Sequence, residues 1–165
     1  MKKLLIVYYS WSCGNTERTA KALQSVAGGD LVRLDTAVPY TGSYNDVVDQ
    51  DQRGVNAGFE PKLKPLPVNV ADYDVIAVGT PTWWYTMAPA VKAFLHGQNF
   101  AGKTVVPFMT NGGWPGRVIK DMKAACPGAD FACDMQVKFD SNGGDHLETP
   151  ESKINAWAQS VKALL

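Results

Sequence analysis

Three short uncharged stretches hold the residues best suited to chemistry. The first, Ser10-Trp11-Ser12-Cys13-Gly14-Asn15-Thr16, gathers three hydroxyls, a thiol, a carboxamide and a glycine directly before a helical pattern. Such a set can wrap a phosphate, because a helix start supplies N–H donors and a partial positive charge. No Lys or Arg is present, so neutralisation falls to N–H and O–H groups. The second stretch is Gly79-Thr80-Pro81-Thr82-Trp83-Trp84-Tyr85, and the third is Thr110-Asn111-Gly112-Gly113-Trp114-Pro115-Gly116. Trp11, Trp83, Trp84 and Trp114 all lie here, and Trp157 sits apart on an apolar face. Loop aromatics can stack on a flat ring, and Gly112 and Gly113 let backbone approach its edge closely, with N–H groups to bond it. The plainer alternative is a polar turn with an N-cap, and tryptophans that plug the rim of the core. It accounts for Thr16 but not for the density of hydroxyls.

These stretches need elements to position them. Leu4 to Tyr9 is a continuous apolar run suited to a strand covered on both faces, and Thr16 to Ala27 reads as a helix. Strands follow at Asp30 to Leu34, at Tyr73 to Val78 (stopped by Gly79) and at Lys103 to Met109. A half-buried edge strand carries Phe131, Cys133, Met135 and Val137. Helices are expected over Pro89 to His96, Gly116 to Ala125 and Pro150 to Leu165, the first with proline in its opening turn. Alternating strands and helices define an α/β doubly wound parallel sheet. The three stretches then fall at the carboxyl ends of its strands, where such sheets bind ligands. Between residues 35 and 72 the rhythm breaks. Four prolines and three glycines occupy the place of a crossover helix, and at most a short helix near Asn45 to Gln52 fits. Such a segment is either functional or a surface excursion.

Composition narrows the class. The 165 residues suit one domain, spanning 1–165, with a core that needs no disulfide or metal. Sixteen basic and sixteen acidic residues cancel, which argues against a nucleic-acid partner. The apolar run after Lys2 and Lys3 is too short for a signal peptide, and no stretch approaches a membrane span. Three unpaired cysteines fit a reducing compartment, so a cytoplasmic protein is expected. His96 and His146 are too few and scattered for a metal site. His96 reads as a capping charge, and Cys126 and Cys133 as structural residues.

The apolar strand followed by S-W-S-C-G-N-T resembles the phosphate loop of flavodoxins, [ST]-x-T-G-N-T, with Cys13 as an extra residue. The second and third stretches resemble the two flavin-flanking loops of flavodoxin-like proteins, in the right order along nearly the whole chain. The resemblance implies the flavodoxin fold, with strand order 2-1-3-4-5, and FMN as cofactor. It places Ser10, Ser12, Cys13, Gly14, Asn15 and Thr16 at the phosphate. Pro81, Thr82, Trp83, Trp84, Tyr85, Thr110, Asn111, Gly112, Gly113, Trp114 and Gly116 fall around the ring. It implies no catalytic side chain, the flavin N5 being the reactive atom.

Other uses of this fold type fit less well. A low-molecular-weight tyrosine phosphatase needs Arg six residues after its nucleophilic Cys, whereas Arg18 falls one short of that register from Cys13. A receiver domain needs Asp where Gly79-Thr80 stands. Neither G-x-G-x-x-G, a P-loop, nor G-x-S-x-G occurs. Cys13 is either a redox thiol at a helix N-terminus or a loop residue whose backbone matters. The stretches Ser10 to Thr16, Gly79 to Val91 and Thr104 to Gly116 carry no charge, which disfavours the anionic fully reduced flavin less than an acidic site would. Thr82 to Ala88 lacks the glycine whose peptide flip supports the half-reduced form in many flavodoxins. Both features point to an FMN-dependent oxidoreductase moving electrons from NAD(P)H or a reductase to a flat acceptor such as a quinone. A one-electron flavodoxin, and a binding or regulatory protein without tight FMN, remain as alternatives. The tryptophan-rich rim is a candidate homodimer surface.

Overall fold

The computed structural model describes residues 1–11 and 13–165, with side chains at all of them but Tyr44, Asn45, Val48 and Asp51. The sheet is built from β1 (Leu4–Tyr8), β2 (Asp30–Arg33), β3 (Val75–Trp83), β5 (Thr104–Asn111) and an edge in two pieces, β6 (Asp130–Phe131) and β7 (Met135–Lys138). These strands are parallel, in the order β2-β1-β3-β5, with β6 and β7 both on β5. This is the expected 2-1-3-4-5 order with its fifth strand divided. Cys133 lies in the gap with φ +54°, a left-handed conformation that takes the chain out of the ladder. Helices α1 (Asn15–Ala27) and α5 (Glu151–Lys162) cover one face, and α3 (Pro89–His96) and α4 (Val118–Ala124) cover the other.

Alternation along the central strands divides the core. Leu5, Val7, Ile76, Val78 and Met109 point to the α3 and α4 side, where they meet Val91, Phe94, Val118 and Met122. Leu4, Ile6, Ala77, Val106 and Phe108 point to the α1 and α5 side, against Ala20, Leu23, Trp157 and Val161. All five β1 residues are buried, as their unbroken apolar run requires. The exposed surface, 8220 Å², matches the roughly 8,000 Å² that size scaling gives for a folded chain of this mass. Trp157 is buried, and its indole N–H donates to the Cys133 carbonyl at 2.6 Å, tying α5 to the irregular point of the edge.

Two expectations change. Gly79 does not stop β3: the strand continues to Trp83, held by pairs from Gly79↔Phe108 to Pro81↔Thr110. It then turns into β4 (Thr86–Met87) through the antiparallel pairs Thr82↔Met87 and Trp83↔Thr86. The segment at 35–72 is also more ordered than its prolines suggest. Helix α2 spans Tyr44–Asn56, opened by a capping box in which Ser43 Oγ accepts from the Asp46 N–H while the Asp46 carboxylate accepts from the Ser43 N–H. That backbone hydrogen bond, with the Ser43 hydroxyl, holds the Asp46 carboxyl below the usual range. His96, expected as a cap, pairs instead with Glu60 of this segment (Nδ1 to Oε1, 2.5 Å), and the Gly97 N–H closes α3.

Two buried protons lead to a pH prediction. The Tyr73 hydroxyl donates to Asp30 Oδ2 at 2.5 Å, and this bond, with burial, pushes Tyr73 up to about 12. Burial alone pushes the Cys126 thiol up to about 11. The folded chain holds both protons more tightly than the unfolded chain. Their stabilisation is therefore complete below about pH 9 and is lost as pH climbs through 11 to 12. Urea midpoints measured from pH 8 to 12 are expected to fall across that window, and Tyr73→Phe should flatten the upper part of the fall.

Candidate functional site

A cavity of about 460 Å³ opens at the carboxyl ends of β1, β3 and β5. The first loop contributes Trp11, Cys13, Asn15 and Thr16, the end of β3 contributes Pro81, Thr82, Trp83 and Trp84, and the end of β5 contributes Thr110, Asn111, Gly112 and Trp114. The three stretches singled out in the sequence thus meet around one space. Ser12 lies outside the described residues. Ser10, Gly14, Tyr85, Gly113 and Gly116 stand behind or beside the wall.

The first loop is braced from outside the cavity. Ser10 is buried, its Oγ accepting the Glu17 N–H at 3.3 Å, and its carbonyl accepts from Arg33 Nη2 at 2.9 Å. Arg33 also pairs with Glu17, whose carboxyl is held below the ordinary range by a hydrogen bond from Lys21. Gly14, the N-cap of α1, takes φ +73° with no described atom within 4 Å of where a Cβ would stand, and as glycine it offers no side chain to cap the helix. Apart from the Glu17 N–H, which Ser10 Oγ takes, the N–H groups of this helix start have no side-chain partner among the described residues. Thr16 and Thr110 share a buried hydroxyl–hydroxyl bond of 2.9 Å that joins the first and third loops. Asn15 Nδ2 donates to the Gly144 carbonyl at 3.0 Å, while its Oδ1 is buried without a hydrogen-bond partner among the described residues. A buried acceptor of this kind costs free energy until a donor reaches it.

The aromatic residues divide their roles. Trp83 is half-buried and caged edge-on by Tyr9 (5.6 Å between centroids), Trp11 (6.3 Å) and Tyr40 (5.5 Å), so it both plugs the core rim and forms the cavity wall. Trp84 and Trp114 are exposed at the mouth. Trp84 and Tyr85 form the two-residue turn between β3 and β4 with φ +50° and +67°. Both central residues of such a turn must be left-handed, a place that usually takes Asn-Gly. Aromatic residues there carry strain of about 1–3 kcal/mol each, held by the surrounding structure. The Arg117 N–H donates to the Tyr85 carbonyl at 2.9 Å, and Thr86 Oγ1 donates to Asp121 Oδ2 at 2.6 Å. Gly116 completes the clamp, since a Cβ there would collide with the Tyr85 backbone. The missing glycine in Thr82 to Ala88 thus does not keep this segment out of left-handed conformations.

In the third loop, Asn111 acts as a brace. Its Oδ1 accepts the Gly113 N–H at 2.7 Å and its Nδ2 donates to the Val137 carbonyl at 3.2 Å, so that N–H of Gly113 is already engaged. Two parts of the wall escaped the sequence reading: Val47 on α2, and the loop from Phe139 to Gly144 after β7. The loop closes on the first stretch through the Gly143 and Gly144 carbonyls, which accept from Cys13 Sγ (3.2 Å) and Asn15 Nδ2. Gly112 allows its approach, as a Cβ there would lie 3.2 Å from the Asp140 carbonyl oxygen. The turn-rich run Asp140-Ser141-Asn142-Gly143-Gly144 was visible in the sequence, and applying the carboxyl-end rule to the fifth strand would have found it. Val47 offered no such signal. Among the described residues Asp140 is the single charged one that lines the cavity, and its Oδ1 accepts the Asn142 N–H at 2.7 Å.

Among the described residues no group of three or more His, Cys, Asp or Glu could hold a metal, and no helix is long and apolar enough to cross a membrane. A doubly wound sheet with a helix N-terminus and an aromatic mouth at its switch point defines a nucleotide-cofactor class of α/β protein. The sequence profile of the flavodoxin family matches residues 3–156, and the chain belongs to that family. It is similar over its full length to a candidate flavoprotein of Bacteroides eggerthii (30% identity, 99% of both chains, TM-score 0.77). A Lactobacillus acidophilus flavoprotein solved in complex with FMN shares the fold at 20% identity (96% of this chain, 99% of that one, TM-score 0.71). The NAD(P)H dehydrogenase (quinone) 3 of Rhizobium meliloti is 35% identical over 100 residues, which is 58% of this chain and 43% of that protein's length.

Proposed function

We propose that the cavity binds FMN and that the protein is an oxidoreductase carrying electron pairs from NAD(P)H to a flat acceptor such as a quinone. The observation that carries the reading is the donor and acceptor set of the wall. The N-terminal N–H groups of α1 beside Cys13 to Thr16 suit a phosphate, and Asn15 Oδ1, without a partner among the described residues, suits a hydroxyl of a ribityl chain. The aromatic and neutral end, from Pro81 to Trp84 and from Asn111 to Trp114, suits the ring. When bound, the flavin supplies the hydride chemistry. The protein's residues orient it, limit water and set the field around it. With one carboxylate among the described residues of the wall, that field opposes negative charge on the ring only weakly. The similarity to a quinone dehydrogenase supports the choice of donor and acceptor.

Apoprotein titrated with FMN at micromolar concentration should quench flavin fluorescence, and the yellow complex should bleach with NADH or NADPH under anaerobic conditions. Stepwise reduction should pass from the oxidised to the two-electron-reduced spectrum. Near-stoichiometric accumulation of the one-electron-reduced spectrum would turn the assignment to an electron-shuttling flavodoxin, and failure to bind FMN would leave a binding or regulatory protein.

A further inference from the structure

We propose that a second cleft, separated from the cavity by the Trp84–Tyr85 turn, holds the adenosine-phosphate end of the nicotinamide donor; this rests on the donor reading above. The cleft measures about 260 Å³ and lies where the end of α2 crosses α3 and α4. The excursion at 35–72 walls both spaces, with Val47 on the cavity and Val55, Gly58 and Phe59 on the cleft. The floor is apolar, formed by Met87, Pro89 and Ala125, and Phe59 stands at its edge, 51% exposed, as a flat apolar plate.

Among the described residues that line it, Lys92 and Arg117 are cations and Asp121 is a carboxylate. Asp121 Oδ2 accepts from both Thr86 Oγ1 (2.6 Å) and Arg117 Nε (3.0 Å), so this carboxylate is matched and fixes the arginine from one side. The two terminal guanidinium nitrogens of Arg117 have no protein partner among the described residues, and its side chain is 69% exposed. His96 and Glu60 occupy one another. Lys92 makes no ion pair among the described residues, and its Nζ reaches across the cleft to within 4.0 Å of where a Cβ of Gly58 would stand. An aromatic plate, an apolar floor and two cations with donors unengaged among the described residues are the features that recognise a flat base carrying phosphate. Trp84 walls the cavity and Thr86, two residues on, walls the cleft, so the two spaces flank one turn of the chain. A dinucleotide can thus rest its nicotinamide at the cavity mouth and its adenosine phosphate beside Phe59 and Lys92.

The test uses the FMN-loaded protein and two probes. ADP, which cannot reduce flavin, should bind the wild-type protein. It should bind Lys92→Glu at least tenfold more weakly, with Lys92→Gln intermediate and FMN affinity unchanged in both. The KM for NADH should rise by about tenfold in Lys92→Glu, while the KM for reduced nicotinamide mononucleotide, which lacks the adenosine, stays constant. Absence of ADP binding, or equal binding by all three proteins, would overturn the cleft assignment even where both nucleotides reduce the flavin. ADP binding that depends on Lys92, without reduction by either nucleotide, would support the cleft and overturn the donor reading.

Discussion

Asn15→Asp is expected to weaken FMN binding about a hundredfold while weakening riboflavin binding by less than tenfold. The first loop carries no cationic side chain, so a phosphate there depends on N–H and O–H donors alone. Asn15 gives its Nδ2 to the Gly144 carbonyl and holds Oδ1 buried. A carboxylate at this position loses the donor and adds a charge in a partly dry site. At about 6 Å, the outer range over which neighbouring charges act strongly, and an effective dielectric of about 20–40, repulsion from a phosphate of roughly 1.5–2 negative charges is about 3 kcal/mol. That converts to roughly two decades of affinity. Riboflavin lacks the phosphate and feels only the loosened contact with the 139–144 loop. Fluorescence titration of both flavins against the wild-type and variant apoproteins measures the difference. Equal losses for the two would place the phosphate elsewhere.

A second large effect is expected in the sheet, where Gly79→Ala should destabilise the fold by about 3 kcal/mol. A Cβ on Gly79 would be driven into the Cζ and Cε2 atoms of Phe108. That ring is fully buried and packs against Trp157 with centroids 5.3 Å apart, so it has no solvent side to move into. Overpacking of this kind costs about 1–3 kcal/mol, and a ring closed in on all sides belongs at the upper end. For a chain of this length the melting temperature should fall by about 6–12 °C. Phe108→Leu in the Gly79→Ala background should restore part of the loss, because it removes the atoms that collide. If the double variant is less stable than additivity predicts, the clash is not the cause.

The same glycine shows how far the sequence could be read. Its residue type suggested a strand end, since glycine weakens strands and often marks their limits. The local rule lost to a contact with a residue 29 positions later in the chain, and β3 runs on to Trp83. The apolar run of β1, the proline that opens α3 and the periodic stripe of α5 depend on neighbours within one or two turns, and these elements formed where expected. The edge strand did not remain whole, because Cys133 takes a left-handed conformation and its own carbonyl accepts the Trp157 indole N–H. No local pattern in residues 130–138 encodes a hydrogen bond from α5.

For the candidate site, residue types and spacing were enough to bring three stretches to one end of the sheet, because strand order sets which loops meet. Their lack of charged side chains was likewise written in the order of the residues. Tertiary structure decided which groups face the cavity. It turned Ser10 inward to brace α1, spent the carboxamide of Asn111 on the loop's own backbone, and left Asn15 Oδ1 without a donor. It also forced Trp84 and Tyr85 into a left-handed turn clamped by Gly116 and Arg117, and carried α2 across both spaces. Hydrophobic periodicity places an element because each residue contributes on its own. The direction of a polar group depends on which distant partner satisfies it, and that is settled only when the chain is packed.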